Sequence, residues 1–349
     1  MIGINAMNVL VTGGAGFIGS NLIHFLLEQH PEWQITVLDS LTYAGNLENL
    51  AGPLQESKIS FVKGDVADGE LVRELFDRQR FQVVFHLAAE SHVDRSIYSA
   101  NEFVRTNVQG TQTLLNAAMT VKRLRFVHVS TDEVYGSLGP QGSFLESSPL
   151  NPTSPYAASK AASDLMVLAC YKTHGLDAVI TRCTNNYGPY QFPEKFIPLF
   201  VTNALEGKKL PLYGDGLNVR SWIFVRDHCE ALMLAAKKGA AGQIYNIGGG
   251  TDGEIPNIQV AKTILAILNK PESLIEKVAD RPAHDRRYAV NSDKARAELG
   301  WRPRTCFQEG LQQTVKWYVE RQSWWQRVKS GEYQRFYQIN YVQRDKAAH

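Results

Sequence analysis

Residues Asn8 to Gly19 read NVLVTGGAGFIG, and this stretch decides the fold. Asn8–Thr12 is a short apolar run of the kind that forms a buried strand. Gly13-Gly14-Ala15-Gly16-Phe17-Ile18-Gly19 follows at once and satisfies G-x-G-x-x-G from Gly14 and G-x-x-G-x-x-G from Gly13. Phe17, Ile18, Leu22, Phe25 and Leu26 then recur at helical spacing through Gln29. Glycines permit a tight turn and close approach of a pyrophosphate to the backbone. The opening of a helix supplies amide donors and a favourable dipole for that anion. The strand–turn–helix context makes this a dinucleotide site rather than an ordinary loop.

The pattern continues outward. Gln34–Leu38, Ile59–Lys63, Val83–Leu87, Arg125–Ser130 and Ala178–Thr181 are further apolar strands. Helical stretches separate them: one capped by Asp68 and running to about Arg78, then Asn101–Met119 and Tyr156–His174. Continuous apolar strands alternating with amphipathic helices predict an α/β fold. Its expected form is a Rossmann-type, doubly wound parallel sheet with a smaller interleaved α/β substrate-binding lobe. Residues 1–183 are expected to form the dinucleotide domain, with about 217–248 returning to it through a helix at Arg226–Lys237 and a strand at Tyr245-Asn246-Ile247. Gly and Pro punctuate 184–216 and 249–330, read as the smaller lobe, and 331–349 reads as a polar tail.

Composition narrows the function classes. Of 349 residues, 44% are hydrophobic and 21% charged, and the net charge is +2 with no long basic run. A nucleic acid is therefore not an expected partner. No apolar run approaches the ~20 residues of a membrane span, and Met1–Ala6 has no signal-peptide pattern. Cys170, Cys183, Cys229 and Cys306 form no CxxC pair. Neither a metal site nor a disulfide framework is expected, and reduced thiols suit the cytoplasm.

Chemistry-bearing residues fall at the carboxyl ends of the strands, where such sheets bind ligands. Asp39 lies twenty residues after Gly19 at the end of the second strand. Its carboxylate can accept from a ribose diol and would repel a 2′-phosphate, so NAD is expected over NADP. Asp65 and Val66, then Leu87, Ala88 and Ala89, are expected walls for adenine and nicotinamide. Tyr156 and Lys160 stand four apart at the start of a helix and so share one face. A nearby ammonium and an oxidised nicotinamide would both favour the phenolate, turning a group with pKa ~10 into a usable base. Lys160 can also bond the nicotinamide ribose. Thr131, Asp132 and Glu133 end the fifth strand, and adjacent carboxylates suit a reaction that needs one acid and one base.

Thr12–Gly19, the Tyr156/Lys160 pair and Asn185–Pro189 resemble the extended short-chain dehydrogenase/reductase superfamily. Leu41–Leu47, His86–Ser96, Thr131–Gly136, Asn185–Lys195 and Asp280–Tyr288 are similar to the dTDP-glucose 4,6-dehydratases within it. The resemblance implies that Tyr156 takes the sugar C4 hydroxyl proton while hydride passes to NAD, with Thr131 holding that hydroxyl. It implies that Glu133 removes the C5 proton, that Asp132 protonates the departing C6 hydroxyl, and that hydride returns to C6. It further implies cofactor contacts from Thr106 and Asn186. Sugar or nucleotide contacts would come from Ser91, Asn185, Lys195, Phe196, Pro211, Tyr213, Arg220, Asn257, Arg281, His284 and Tyr288. The implied partners are a nucleotide-diphosphate sugar and a second copy of the chain, packed through Asn101–Met119 and Tyr156–His174. Ala283, Ser221 and a slightly expanded Gly248–Gly253 depart from the family pattern near the nucleotide end. A related UDP-sugar 4,6-dehydratase or 4-epimerase, and a non-catalytic NAD-sensing protein, stand as alternatives. The intact Thr131, Asp132, Glu133, Tyr156 and Lys160 set argues against the sensor.

Overall fold

The computed structural model describes residues 6–250, 253–280 and 285–330. Arg281, Ala283, His284 and the 331–349 tail lie outside the described residues. Twelve strands occur among those described: β1 Asn8–Thr12, β2 Gln34–Asp39, β3 Ile59–Lys63, β4 Val83–His86, β5 Arg125–Thr131, β6 Ala178–Cys183, β7 Asn185–Tyr187, β8 Leu210–Tyr213, β9 Val219–Phe224, β10 Ile244–Ile247, β11 Glu254–Pro256 and β12 Ile275–Val278.

Seven of them form one sheet in the order β10-β6-β5-β4-β1-β2-β3, and every neighbour pair is parallel. This is the doubly wound arrangement expected. Alternation of side chains along each strand builds the two faces. Val9, Val11, Val83, Phe85 and Val127 point to one face and pack against the helices Phe17–Gln29 and Val225–Lys238. Leu10, Val84 and Phe126 point to the other and pack against Gly69–Arg78, Thr111–Ala118 and Pro155–His174. The chain reverses direction across the sheet between β1 and β4, which opens a crevice at the strands' carboxyl ends.

Local chemistry sets the helix ends. Asp68 accepts from the amides of Glu70 and Leu71, and Ser154 accepts from Ala157 with Pro155 behind it. The expected single helix at Asn101–Met119 is instead broken into Ala100–Phe103, a wide π-type segment Val104–Gly110, and Thr111–Ala118. Asn107 explains the interruption. Its side chain bonds both backbone groups of Glu90 and the Ser159 hydroxyl, while Thr111 bonds the Asn107 carbonyl. These ties hold the helix open at a turn beside the crevice.

The smaller lobe has a β11-β9-β7 sheet, a β12-β8 pair and a core of Phe200, Trp222, Ile264, Leu311 and Trp325. The structure places the return to the main body at Val225 rather than near residue 217, because β9 pairs with β7 and β11. Ala295, Leu299 and Trp301 then rejoin the main body by packing on Val179, Tyr245 and Ile247. No helix among the described residues is long and apolar enough to cross a membrane.

Candidate active site

The glycine turn is built as its sequence requires. Gly13 has φ +70°, and a side chain there would place its Cβ 2.7 Å from the Ala88 nitrogen. A Cβ on Gly19 would fall 2.2 Å from the Gly13 carbonyl oxygen. Neither position tolerates a side chain, so β1, β4 and the first helix meet with bare backbone at the crevice. Asp39 closes the next corner. Its two carboxylate oxygens accept from Ala15 N at 2.9 Å and Leu41 N at 2.8 Å, which fixes a buried acid at the end of β2. Burial pushes its pKa up and these two amide bonds oppose the rise.

A cavity of about 660 Å³ runs from this corner to the end of β6. Gly13, Gly16, Phe17, Ile18, Gly19 and Asp39 line its first wall. Asp65, Val66, Leu87, Ala88, Ala89 and Thr106 line the second. Ser91, Thr131, Asp132, Glu133, Tyr156, Lys160, Asn185, Asn186 and Lys195 line the far end. The bare glycine turn, the tethered Asp39 and this volume fit an elongated dinucleotide. The cofactor and reaction residues expected from sequence share one enclosure.

Thr131 ends β5, and a short 3-10 turn, Asp132–Tyr135, begins immediately. The Thr131 hydroxyl donates to Asp132 Oδ1 at 3.3 Å and accepts from Glu133 N at 3.3 Å. Asp132 is buried, and its Oδ2 has no hydrogen-bond partner among the described residues. Burial, then repulsion from Glu133, push its pKa up to about 8. At neutral pH this side chain is a carboxylic acid holding a proton.

Tyr156 lies in the first turn of Pro155–His174, with Phe103 edge-on at 6.3 Å. Lys160 is buried one turn later and donates to the Val129 carbonyl at 2.8 Å. Burial lowers Lys160 to about 8, opposed by Asp164. The expectation of a lowered phenol is not met by the protein's own groups. Burial, followed by the charge of Glu133, raises Tyr156 well above its ordinary value. Lys160 is engaged by a backbone carbonyl, and burial together with a neighbouring carboxylate outweighs it.

At the sugar end, Lys195 donates to the Ser91 carbonyl at 3.0 Å. Asn186 is held through its Oδ1 by His228 at 2.9 Å, and burial lowers His228 to about 3, leaving a neutral ring. Six residues expected to bind substrate lie away from the cavity lining. Phe196 opens the helix Phe196–Leu205 and packs on Phe200 and Trp222 within the lobe. Pro211 and Tyr213 lie on β8, with the Tyr213 hydroxyl 3.4 Å from Asp94 Oδ2. Asn257 begins the helix Asn257–Ile267, and its buried Oδ1 has no partner among the described residues. Arg220 on β9 donates to the Asp285 carbonyl and lies 4.7 Å from the Tyr288 ring centroid, while the Tyr288 hydroxyl donates to the Asp285 carboxylate. Arg220 bears on Asp132, and Glu133 on Tyr288, so this pair lies within electrostatic reach of the two acids.

One further cluster at this end is not among the expected site residues. Glu194 is buried, 3.7 Å from His92 Nε2 and 3.8 Å from Arg95, and burial pushes its pKa up to about 7. Arg95 lies over the Tyr43 ring at 3.7 Å. All four residues fall inside stretches quoted above for their resemblance. An acid beside Lys195 in Asn185–Lys195 was the available signal.

A parallel doubly wound sheet, a glycine turn facing Asp39, and a Tyr/Lys pair beside two carboxylates define a dinucleotide-dependent enzyme of the extended short-chain dehydrogenase/reductase type. The family model described as GDP-mannose 4,6 dehydratase matches residues 10–314. A dTDP-glucose 4,6-dehydratase of Streptomyces niveus is 51% identical over 328 residues, covering 93% of this chain and 96% of the relative. The crystal structure of the Streptomyces venezuelae dTDP-glucose 4,6-dehydratase, solved with NAD bound, matches with TM-score 0.89 and 52% identity, covering 93% of this chain and all of that one. A UDP-glucose 4-epimerase of Thermotoga maritima matches at TM-score 0.84 with 30% identity, covering 90% of this chain and 99% of the other. The chain belongs to the dTDP-glucose 4,6-dehydratase family.

Proposed function

We propose that this enzyme converts dTDP-glucose to dTDP-4-keto-6-deoxy-glucose with loss of one water. The observation that carries the reading is the placement of Thr131, Asp132 and Glu133 in the same cavity as Tyr156 and Lys160, with Asp132 protonated at neutral pH. NAD, held by the glycine turn and Asp39, supplies a hydride acceptor and later a hydride donor, so none is consumed overall. Tyr156, whose phenolate the positive charge of a bound oxidised nicotinamide would favour against the burial that raises it, removes the proton of the C4 hydroxyl, and Thr131 holds that oxygen. The resulting ketone acidifies the C5 hydrogen. Glu133 takes that proton, and Asp132 delivers its own to the leaving C6 hydroxyl. A carboxyl that keeps its proton near pH 7 beside a second carboxyl is the division of labour this elimination needs. In this reading Lys160 holds the nicotinamide ribose, Asn185 and Lys195 in the cavity wall hold the sugar end, and Arg220 and Tyr288, outside the lining but within electrostatic reach of the two acids, bear on the nucleotide end.

A 4-epimerase shares the fold and the Tyr/Lys pair, but an epimerase has no use for a protonated acid at Asp132. The four cysteines are free thiols, three of them buried, which suits the cytoplasm. A second copy of this chain is the partner read for the outer helical face, where Tyr98 is 71% exposed and Val104 and Leu165 exceed half exposure. The functional test is turnover with dTDP-glucose, UDP-glucose and GDP-mannose, scored by product mass. A keto-deoxy product, lighter than the substrate by one water and formed fastest from dTDP-glucose, is expected. An unchanged mass with inverted C4 would establish the epimerase instead.

A further inference from the structure

Beneath the Tyr156–Lys160 helix lies a charged cluster that the proposed chemistry leaves unused. Asp164 is fully buried one turn beyond Lys160. Its Oδ2 accepts from Arg182 Nε of β6 at 2.8 Å, and its Oδ1 lies 3.4 Å from His128 Nε2 of β5. The same His128 nitrogen lies 3.1 Å from the Ser163 hydroxyl, which donates to the Lys160 carbonyl at 2.8 Å. Arg182 is stacked over Tyr135, whose hydroxyl is anchored on Asn246 at 2.7 Å. Two strands and one helix are thus tied at a single carboxylate, and a third strand is reached through Arg182 and Tyr135. A buried ion pair is not an economical way to stabilise a fold, since an apolar replacement often does as well. Its position below the lysine asks for another account.

We propose that Asp164 is a positioning residue for the reaction, the fixed negative charge that seats Lys160 and keeps it an ammonium beside Tyr156.

The groups around Lys160 can be counted. On its own helix are Tyr156 and Asp164, on β4 His86, on β5 His128 and on β6 Cys183, with Arg182 of β6 on the far side of Asp164. His128 is lowered to about 4 and His86 well below its ordinary value, both chiefly by burial, so neither ring is charged at neutral pH. Cys183 is pushed up to about 12 by burial and is a neutral thiol. Asp164 is therefore the one anion among these groups, facing two cations, Lys160 and Arg182. The Lys160 ammonium, already lowered to about 8 by burial, is supported first by Asp164.

The inference rests on the Tyr156–Lys160 reading of the site, which wild-type turnover tests by itself. The experiment compares NAD-loaded wild type, Asp164→Asn, Asp164→Glu and the double variant Asp164→Asn/Arg182→Met. Two pH series are recorded: kcat, and retention of bound NAD after gel filtration, which needs no turnover. Loss of the anion should move the alkaline limb of both series down by about one pH unit or more, as expected for removal of a nearby opposite charge. The double variant removes the stranded Arg182 charge, so it guards against misfolding of the single one. Asp164→Glu keeps the charge and should keep both limbs at wild-type pH even where kcat falls. A folded Asn variant with wild-type limbs would overturn the proposal. So would failure of the neutral double variant to fold, which would assign the pair to stability alone.

Discussion

A buried acid that keeps its proton at neutral pH leaves a thermodynamic signature, and Asp132→Asn is the substitution that reads it. Asp132 is raised from 3.8 to about 8 in the fold. Unfolded, it ionises near 3.8; folded, it must take up a proton at any pH between these values. One pKa unit corresponds to ~1.4 kcal/mol. At pH 7 the cost to the folded state is therefore at most about 4 kcal/mol, approaching about 6 kcal/mol above pH 8 and vanishing below pH 4. The sign follows from the raised value: stability is complete below the unfolded pKa and is lost as pH rises towards the folded one. Asn keeps the shape without the ionisation. Urea unfolding of NAD-loaded wild type and Asp132→Asn at pH 5, 7 and 9 should show the variant gaining on wild type by up to ~1.4 kcal/mol per pH unit between about 4 and 8, then a plateau. Any change in the Thr131 contact adds only a constant offset, so the slope is the quantity to read. Stability curves that run parallel across this range would show that Asp132 titrates normally and would refute its role as the protonated partner. Because Glu133 is the second cause of the shift, Glu133→Gln should bring the plateau in at a lower pH.

The remaining predictions concern turnover and cofactor choice. Tyr156→Phe keeps the ring and removes the phenolic oxygen, so kcat should fall by ~10²–10⁴ while dTDP-glucose binding changes little; near-normal turnover would reassign the base. Asp39→Ala should narrow the preference for NAD over NADP in equilibrium binding, and equal affinity of the native protein for both would contradict the 2′-phosphate argument. Glu133→Gln should still oxidise bound sugar, seen as a rise in NADH absorbance, but should exchange little C5 hydrogen with heavy water. Asp132→Asn should retain that exchange and lose the C6 hydroxyl slowly; the opposite pattern would reverse the two roles.

How much of this was legible in the sequence follows from the range of the forces involved. β1, β3 and the helix Phe17–Gln29 fall at the residues expected, because apolar periodicity and a glycine turn are local signals. The break at Val104–Gly110 was not legible, since it is made by Asn107 bonding Glu90 and Ser159, residues far away in the chain. The raised Tyr156 was missed for a related reason. Spacing places Lys160 on the same helix face, but only the fold shows that its ammonium is turned to Val129 and that Glu133 lies within reach of the phenol. The start of the returning segment, expected near residue 217, falls at Val225 because Val219–Phe224 pairs with β7 and β11 in the smaller lobe, a long-range pairing that local pattern does not report. The Asp132–Glu133 pair was legible as chemistry. Which of them keeps its proton was not, because burial is a property of the folded chain.

In the proposed reaction, oxidation at C4 and reduction at C6 occur within one site, with the elimination between them. The most direct measurement is the fate of deuterium placed at C4 of dTDP-glucose and followed by mass spectrometry and NMR of the product, with no reductant added. Deuterium recovered at C6, with turnover sustained on catalytic NAD alone, is the predicted result. Deuterium released to solvent, retained at C4 of an epimerised sugar, or replaced at C6 only when NADH is supplied stoichiometrically would contradict it.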